Sequence, residues 1–226
     1  YTGAGLYRGV RLVILNPVHV AHWGTFVTTP VVSVDKAIVD VRTNVCVRTK
    51  QKGKIKLVTE ILDQEGKKVA KAISTSHQAD SIFYHQKLQM KSPHLWSVSS
   101  PYLYSVLSKV FVDGKMADCY LTTMGIRSID FDTNKGFLLN GQPFKLKGVC
   151  LHHDLGPIGA AVNVAALKRQ LRLLKEMGSN AIRTSHNPPS REFLQLTDSM
   201  GFVVQVEAFD EWKVAKNLNG YHLYFD

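Results

Sequence analysis

The amino-acid sequence predicts an antiparallel β-sandwich followed by an incomplete (β/α)8 barrel. Two observations support this fold class. Up to about Thr133, runs rich in Val, Ile, Leu and aromatic residues alternate with turn residues at roughly even spacing. After Gly136, the apolar residues follow the order strand, helix, strand, helix, strand, which is typical of parallel strands joined by crossover helices. Only about three βα units are present, whereas a closed barrel needs eight.

Six runs in the first part of the chain have the composition of β-strands. They cover residues 6–15, 37–48, 54–62, 80–90, 102–114 and 118–131. Turn residues such as Asp63-Gln-Glu-Gly66 and Asp113-Gly114 separate them. Because no helical periodicity of useful length occurs here, the pattern favours a sandwich.

The second part of the chain contains two helices with predicted caps at both ends. Asn163 can cap a helix that stops at Gly178, and Ser190 can cap one that stops at Gly201. The predicted inward residues are Val164, Leu167, Leu171, Leu174 and Met177, then Phe193, Leu194, Leu196, Thr197 and Met200. The predicted strands around them are residues 145–154, 180–186 and 202–209. The last is almost continuously apolar, which predicts burial on both faces. Asn140-Gly141 predicts a two-residue hairpin turn before this region.

The chain has 28 Lys and Arg against 18 Asp and Glu, a formal net charge of +10, so a nucleic-acid partner has to be weighed. Basic residues from Arg48 to Lys56, including Lys50 and Lys52, alternate with apolar ones. This pattern predicts a hairpin with one solvated face, and no aromatic residues are interleaved to stack on bases. We therefore predict no nucleic-acid partner. Since no apolar run approaches membrane-spanning length, we predict no membrane partner either.

The three cysteines are Cys46, Cys119 and Cys150. The odd count and the absence of a CxxC pair argue against a disulfide framework and a zinc site. Cys46 and Cys119 lie within strand-like runs, so both are predicted to be small buried residues.

Polar side chains follow all three strands of the second part. They are His152, His153 and Asp154, then Arg183 and His186, then Glu207, Asp210 and Glu211. Because the carboxyl ends of parallel strands meet at one rim of a barrel, we expect these side chains to converge there. Each one alone could be structural, as a hydrogen-bonded histidine or a helix cap. Three such strand ends in succession favour a substrate site.

Two narrower interpretations of these residues are disfavoured. A metal site at His152, His153 and Asp154 lacks the HxH or HExxH spacing, and adjacent strand residues point to opposite faces. Glu207 and Glu211 could form the carboxylate pair of a glycosidase, but two groups on one loop rarely flank a bond from opposite sides.

Several motifs, in order along nearly the whole chain, resemble glycoside hydrolase family 2, and within it bacterial β-galactosidases. GAGLYRGVRL is similar to the closing strand of the family's sugar-binding domain, and PHLWSVSSPYLYSV to a signature of its immunoglobulin-like sandwich. GIRSIDFD and GFLLNGQPFKLKGVCLHHD resemble the linker and first barrel strand, and IRTSHNPPSREFLQLTDSMGFVVQVEAFDEW the next two units. The implied domains are the end of the sugar-binding β domain (1–24), an immunoglobulin-like β-sandwich (25–130) and the amino-terminal part of a TIM barrel (131–226).

The resemblance implies roles for five residues of the predicted rim. His152 and His186 correspond to histidines that contact sugar hydroxyls in the first subsite. Arg183 corresponds to an arginine that supports the catalytic carboxylates electrostatically, and Glu207 and Glu211 to acidic positions lining the same pocket. These roles are physically sensible, because a sugar needs many directional donors and acceptors and an oxocarbenium-like transition state favours nearby negative charge.

The implied activity is that of a retaining exo-glycosidase that hydrolyses terminal β-D-galactosides, as glycosides or oligosaccharides, in carbohydrate catabolism. The family's acid/base glutamate and nucleophile follow later barrel strands, so we expect both beyond Asp226. The chain opens within a strand-like run at Tyr1, and we expect it to be an inactive piece of a longer protein. An open set of barrel strands exposes apolar surface and an edge, which predicts either a homo-oligomer or a disordered segment around Lys213 to Asp226. The bacterial cytoplasm and the periplasm both remain open as compartments.

The sequence departs from the family pattern at two positions. Relatives with an active-site magnesium carry E-T-H after the third strand, whereas this chain has Glu211-Trp212-Lys213. A cation replaces the histidine ligand, so no metal or other cofactor is predicted. Val206 stands where an aspartate is frequent, which argues against a catalytic role for that position.

Other functions remain open beside the galactosidase. Within the family these are a β-glucuronidase and a β-mannosidase. Outside enzymes, the sandwich could be a carbohydrate-binding or interaction module, which would present an exposed aromatic platform. Tyr102 and Tyr104 are the candidates for such a platform, but they share a strand face beside Trp96 and are predicted to form core instead.

Overall fold

The structure is a computed structural model that describes residues 6–48, 53–77, 81–209 and 211–224. The predicted features at Lys50, Lys52 and Asp210 lie outside these residues. The described residues form two compact units, one within residues 12–144 and one that combines those before residue 12 with those after residue 144. Within the described residues, no helix has both the length and the apolar character needed to cross a membrane.

Seven antiparallel strands in two sheets form a sandwich in the first unit. They are β1 (Val18–Val32), β2 (Lys36–Val47), β3 (Lys54–Leu62), β4 (Lys68–His77), β5 (Ser81–Lys91), β6 (Tyr104–Val112) and β7 (Lys115–Met124). One sheet has the order β1-β2-β5 and the other β4-β3-β6-β7. Val39 and Leu88 from the first sheet pack with Ile61 and Val106 from the second in a shared core. The predicted sandwich is confirmed, and its three plus four strands match an immunoglobulin-like arrangement.

Strand β5 illustrates why these sequences form half-buried strands. Its residues alternate between buried and exposed along the whole strand, as a period of two requires. Tyr84 points inward, and its hydroxyl donates to the carbonyl of Ile55 in the opposite sheet at 3.2 Å. Burial of a tyrosine is favourable when its hydroxyl finds such a partner, so this contact helps to tie the two sheets together.

Several details of the predicted sandwich are wrong. Residues 6–15 form no strand in the described structure, whereas β1 and β4 were missed as strands. The predicted hairpin near residues 48–56 is also wrong, because β2 and β3 belong to different sheets. Residues 118–131 divide between β7 and a separate short sheet. Of the cysteines predicted to be buried, Cys119 is exposed and Cys46 only partly buried.

A short antiparallel sheet links the sandwich to the rest of the chain. It consists of β8 (Ile129–Asp132), β9 (Gly136–Leu139) and β10 (Gln142–Pro143). The predicted turn at Asn140-Gly141 is confirmed, and both residues have positive φ, as a type I′ turn demands. The predicted domain limits after residues 24 and 130 stay predictions, and they fall inside β1 and β8.

The second unit contains the beginning of the predicted barrel. Its elements are β11 (Gly148–His152), α1 (Val164–Glu176), β12 (Ala181–Ser185), α2 (Arg191–Met200) and β13 (Val203–Val206). The three strands are parallel neighbours in the order β11-β12-β13. Buried side chains of both helices, including Leu171 and Phe193, pack with Ile182 of the central strand.

Both predicted helix caps are confirmed. The side chain of Asn163 accepts a hydrogen bond from the Ala166 amide at 2.9 Å, and Ser190 accepts one from the Phe193 amide at 3.2 Å. Gly201 ends α2 in the left-handed conformation. The predicted burial is less accurate at the two ends of α1. Val164 and Met177, both predicted to face inward, are exposed.

Strand β13 is not buried on both faces as predicted. Gln205 is exposed, and Val206 is 51% exposed. β13 lies at an edge of the described sheet and pairs there only with β12. The apolar composition of β13 therefore did not predict its burial in this chain.

Candidate functional site

The carboxyl ends of β11, β12 and β13 bring several of the predicted residues to one rim. The register sets Cys150 beside Arg183 and Arg183 beside Gln205. Because side chains alternate along a strand, His152 shares the face of Cys150, and Glu207 continues the face of Gln205. This face therefore carries Cys150, His152, Arg183 and Glu207 together.

Arg183 and Glu207 are the centre of the rim. The Nε of Arg183 donates to Oε1 of Glu207 at 2.9 Å, and Nη2 donates to the same oxygen. The backbone amide of Glu207 donates to Oγ1 of Thr184 at 3.0 Å, so the carboxylate is held through its main chain as well. Charge-assisted hydrogen bonds of this kind are stronger than neutral ones, which gives the pair a defined geometry.

His186 completes this network on the other carboxylate oxygen. Its Nδ1 lies 2.7 Å from Oε2 of Glu207, so the Nδ1–H donates to the carboxylate. This leaves Nε2 as the ring nitrogen for another partner. The ring of His152 lies nearby, with the two imidazole centroids 5.6 Å apart in an edge-to-face arrangement. The rim thus has two adjacent imidazoles, one of them oriented by Glu207.

The surroundings of Glu207 keep its side chain ionised. Desolvation favours the protonated form, but hydrogen bonds from Arg183 and His186 outweigh it, and the pKa of Glu207 lies below its usual value. The negative charge of Glu207 therefore lies beside His152 and His186, whose imidazoles can form hydrogen bonds with hydroxyl groups. Such a rim is suited to a neutral polyhydroxylated ligand on which positive charge develops.

Glu211 has a separate set of partners. Its carboxylate accepts hydrogen bonds from the amide of Lys216 at 2.7 Å and from the amide and Nδ1 of His222 at 3.2 and 3.0 Å. These bonds, that of the His222 ring first, lower the pKa of Glu211 to about 2. The residue is only 4% exposed, and a Cβ at Gly220 would collide with its Oε1. Glu211 therefore anchors the segment after β13, and its role in a substrate pocket stays a prediction.

The residues after β13 do not fit a magnesium ion. Both carboxylate oxygens of Glu211 already accept hydrogen bonds, and Lys213 adds a cation two residues further on. Within the described ranges, no group of three potential metal ligands from His, Cys, Asp and Glu occurs. Hard divalent cations require several free oxygen ligands, which this position does not offer.

His153, which was predicted at the rim, directly follows β11. It lines a cavity together with His152, Leu151, Leu167, Gln170 and Phe193. Its ring lies 5.3 Å from that of Tyr7, and burial lowers the pKa of His153. Since His152 lines the same cavity, the place of His153 at the rim stays a prediction. Asp154 stabilises its own loop, because its Oδ1 accepts a hydrogen bond from the Gly156 amide at 3.3 Å.

Two residues of the rim were missed in the sequence. Thr184 binds the amide of Glu207, and the sulfur of Cys150 accepts a hydrogen bond from Nη1 of Arg183 at 3.4 Å. The position of Cys150, two residues before His152 on the same strand face, was the signal that could have identified it.

Models of known protein families match almost the whole chain. The model of glycosyl hydrolases family 2 matches residues 18–127, and that of the glycosyl hydrolases family 2 TIM barrel domain matches residues 132–223. This chain belongs to glycoside hydrolase family 2. The match confirms the resemblance on which the site residues were selected, and it identifies the three parallel strands as the start of the family's TIM barrel.

Individual relatives agree with this membership. The chain is 42% identical over 228 residues to the beta-galactosidase BoGH2A of Bacteroides ovatus, covering 100% of this chain and 27% of that protein. It is 36% identical over 212 residues to a putative beta-glucuronidase of Formosa agariphila, covering 94% of this chain and 20% of that protein. A crystal structure of a family 2 member from Bacteroides cellulosilyticus superimposes with a TM-score of 0.94 at 42% identity, covering 100% of this chain and 29% of that one. The chain thus spans less than a third of each of these relatives.

Proposed function

We propose that this chain supplies part of the first sugar subsite of a retaining exo-glycosidase acting on terminal β-D-galactosides. The observation that carries the proposal is the hydrogen-bonded network of Arg183, Glu207 and His186 at the ends of neighbouring parallel strands. His152 lies beside this network. Substrates of TIM-barrel enzymes bind at this end of the strands.

Each residue of the network has a distinct task in the proposed subsite. Glu207 holds Nδ1–H of His186, so Nε2 can accept a hydrogen bond from a sugar hydroxyl, and His152 can bind a neighbouring one. Arg183 keeps Glu207 ionised, and the charge of Glu207 favours an oxocarbenium-like transition state. The subsite would therefore bind the transition state better than the substrate, which is the requirement for catalysis.

The arrangement favours a galactoside over a glucuronide. A glucuronide carries a carboxylate and would need a cation that is free to bind it. The guanidinium of Arg183 is already paired with Glu207. The relative from Bacteroides ovatus is named a beta-galactosidase, which agrees with a neutral sugar. A β-glucuronidase is the second candidate, because the relatives from Formosa agariphila and Bacteroides fragilis bear that name.

We further propose that the acid/base and the nucleophile lie outside this chain. A nucleophile or acid has to reach the glycosidic bond with a free carboxyl oxygen. The oxygens of Glu207 are bound to Arg183 and His186, and those of Glu211 are buried against Lys216 and His222. Neither residue is therefore suited to form or break the bond.

The proposal is tested on the full-length gene product with aryl β-D-galactoside, β-D-glucuronide and β-D-mannoside. We expect the galactoside to be hydrolysed with the highest kcat/KM. His186→Ala should lower kcat/KM about 10- to 100-fold, because the hydrogen bonds of His186 to the charged Glu207 and to the sugar hydroxyl are lost. His77→Ala, at an exposed histidine of β4, is the control. A preference for the glucuronide, or equal rates in both variants, would contradict the proposal.

A further inference from the structure

Cys150 is a rim residue to which the proposed subsite assigns no role. It lies on β11 directly beside Arg183 on β12, and its side chain is exposed on the rim face. Its sulfur accepts a hydrogen bond from Nη1 of Arg183 at 3.4 Å, within the range of sulfur acceptors. The contact joins two neighbouring strands beneath the proposed sugar-binding residues.

The contacts of Arg183 come from two sides of its guanidinium. Glu207 binds the edge formed by Nε and Nη2, whereas Cys150 binds Nη1. A guanidinium is a rigid planar fork, so contacts on two sides fix both its position and the rotation of its plane. With Glu207 alone, the plane could pivot about a single carboxylate oxygen, because Nε and Nη2 share Oε1.

The charges of the three groups agree with this geometry. The hydrogen bond from Arg183, followed by one involving Ser185, lowers the pKa of the Cys150 thiol, while the charge of Glu207 opposes the shift. The guanidinium therefore interacts favourably with electron density on the sulfur as well as on the carboxylate. Alanine in place of Cys150 would remove the sulfur, and with it this interaction, without adding bulk.

We infer that Cys150 is a positioning residue, whose sulfur orients the guanidinium of Arg183 so that it presents Glu207 and His186 to the substrate. Its catalytic consequence rests on the proposed function. The contact itself does not, because it can be measured on the thiol in the absence of any turnover.

The first test compares Cys150→Ala and Cys150→Ser in the full-length protein. Alanine removes the acceptor, and we expect kcat/KM for the aryl galactoside to fall about three- to ten-fold, as suits a weak sulfur acceptor. Serine restores an acceptor and should keep kcat/KM within about two-fold of the parent. Cys119→Ala, at the exposed cysteine of β7, is the matched control and should change nothing. Equal kcat/KM for Cys150→Ala and the parent would overturn the inference, as would equal losses in the alanine and serine variants.

The second test measures the rate at which iodoacetamide alkylates Cys150 as a function of pH, resolved by peptide mass spectrometry. In this reaction the thiolate forms the carbon–sulfur bond and iodide leaves, so the profile reports the thiol pKa. Arg183→Met should shift the profile of Cys150 to higher pH. Arg172→Met, at an exposed arginine of α1 that pairs with Glu176, should not shift it. An unchanged profile in Arg183→Met would overturn the inference, even for a protein that hydrolyses no glycoside. If the profile shifts but the parent protein hydrolyses no glycoside, the contact between Arg183 and Cys150 is supported and only the proposed function is refuted.

Discussion

Glu207 acquires its chemical character from its neighbours on β12 and in the loop directly after it. Arg183 supplies a positive charge and two donors, Thr184 binds its backbone amide, and His186 donates to its second oxygen. An isolated carboxylate at a strand end would be mobile and hydrated. Held in this way, it is an oriented charge whose pKa is lowered, and the same contacts fix the tautomer of His186.

We expect that no other cationic side chain can replace Arg183 without loss of activity. Arg183→Lys keeps the charge but cannot reach Glu207 and Cys150 together, because an ammonium is a point charge rather than a planar fork. We expect kcat/KM of the full-length protein to fall about 10- to 100-fold, as for a lost charge-assisted hydrogen bond. Arg172→Lys on α1 serves as the control. Full activity in Arg183→Lys would show that only the charge matters.

Glu211 predicts a pH dependence in the segment after β13. Its pKa in the folded protein, about 2, lies below the ordinary value of 4.5. The ionised form is thus bound more tightly when folded, so its contribution is fully present above about pH 4.5 and is lost as the pH falls towards 2. The protection of the Lys216 and His222 amides, measured as the exchange rate relative to the intrinsic rate at the same pH, should be high at pH 5 and fall as the pH approaches 2.

The matched variant for this prediction is Glu211→Gln. It removes the titrating group, so the protection of both amides relative to the intrinsic exchange rate should no longer depend on acid pH. Equal acid dependence in the variant and the parent protein would mean that another group controls this segment.

At the scale of elements, the helices were predictable because their signals are local. Asn163 and Ser190 bind amides three residues ahead, and Gly201 supplies the left-handed end, all within a single turn of chain. The strands depend on distant partners. β1 contains Gly24 and Pro30, and its pairing with β2 shifts register near both, which obscures the period of two. β4 is rich in Ser, Thr and Lys and forms as an edge strand beside β3.

The α1 helix gives a direct test of the barrel core. Leu171 is fully buried against Ile182 and Phe193, so Leu171→Ala should lower the free energy of unfolding by about 2–5 kcal/mol. Asn163→Ala removes only a cap and should cost about 1 kcal/mol. Denaturant unfolding of the full-length protein, followed by amide exchange in α1, measures both. An exposed neighbour, Arg172→Ala, is the control, and a cost for Leu171→Ala no larger than this control would contradict the assigned packing.

At the scale of the whole molecule, strand order and alternation predicted most of the rim. The convergence of His152, Arg183, His186 and Glu207 followed from parallel strands whose carboxyl ends meet. The hydrogen-bond partners of these residues could not be predicted, because they depend on side-chain conformations that residue spacing does not specify. Nor did the sequence predict that Glu211 binds the segment after β13 or that His153 lines a cavity with residues of both helices.

The sandwich offers little support for the binding-module alternative. Tyr104 is 3% exposed, and its hydroxyl accepts a hydrogen bond from the amide of His94 at 2.9 Å. Tyr102 is half-buried and stacks on the ring of His94. These rings therefore belong to the core and its margin, as expected from the sequence, and an exposed aromatic platform would have to be built from other residues.

We propose that this chain holds a sugar-binding rim but neither catalytic carboxylate. This claim is tested by comparing the hydrolysis of aryl β-D-galactoside and β-D-glucuronide by the 226-residue chain and by the full-length gene product. We predict that only the full-length protein is active and that it prefers the galactoside. Activity of the 226-residue chain would contradict the claim and would place the catalytic pair among its own carboxylates, Glu207 and Glu211 first.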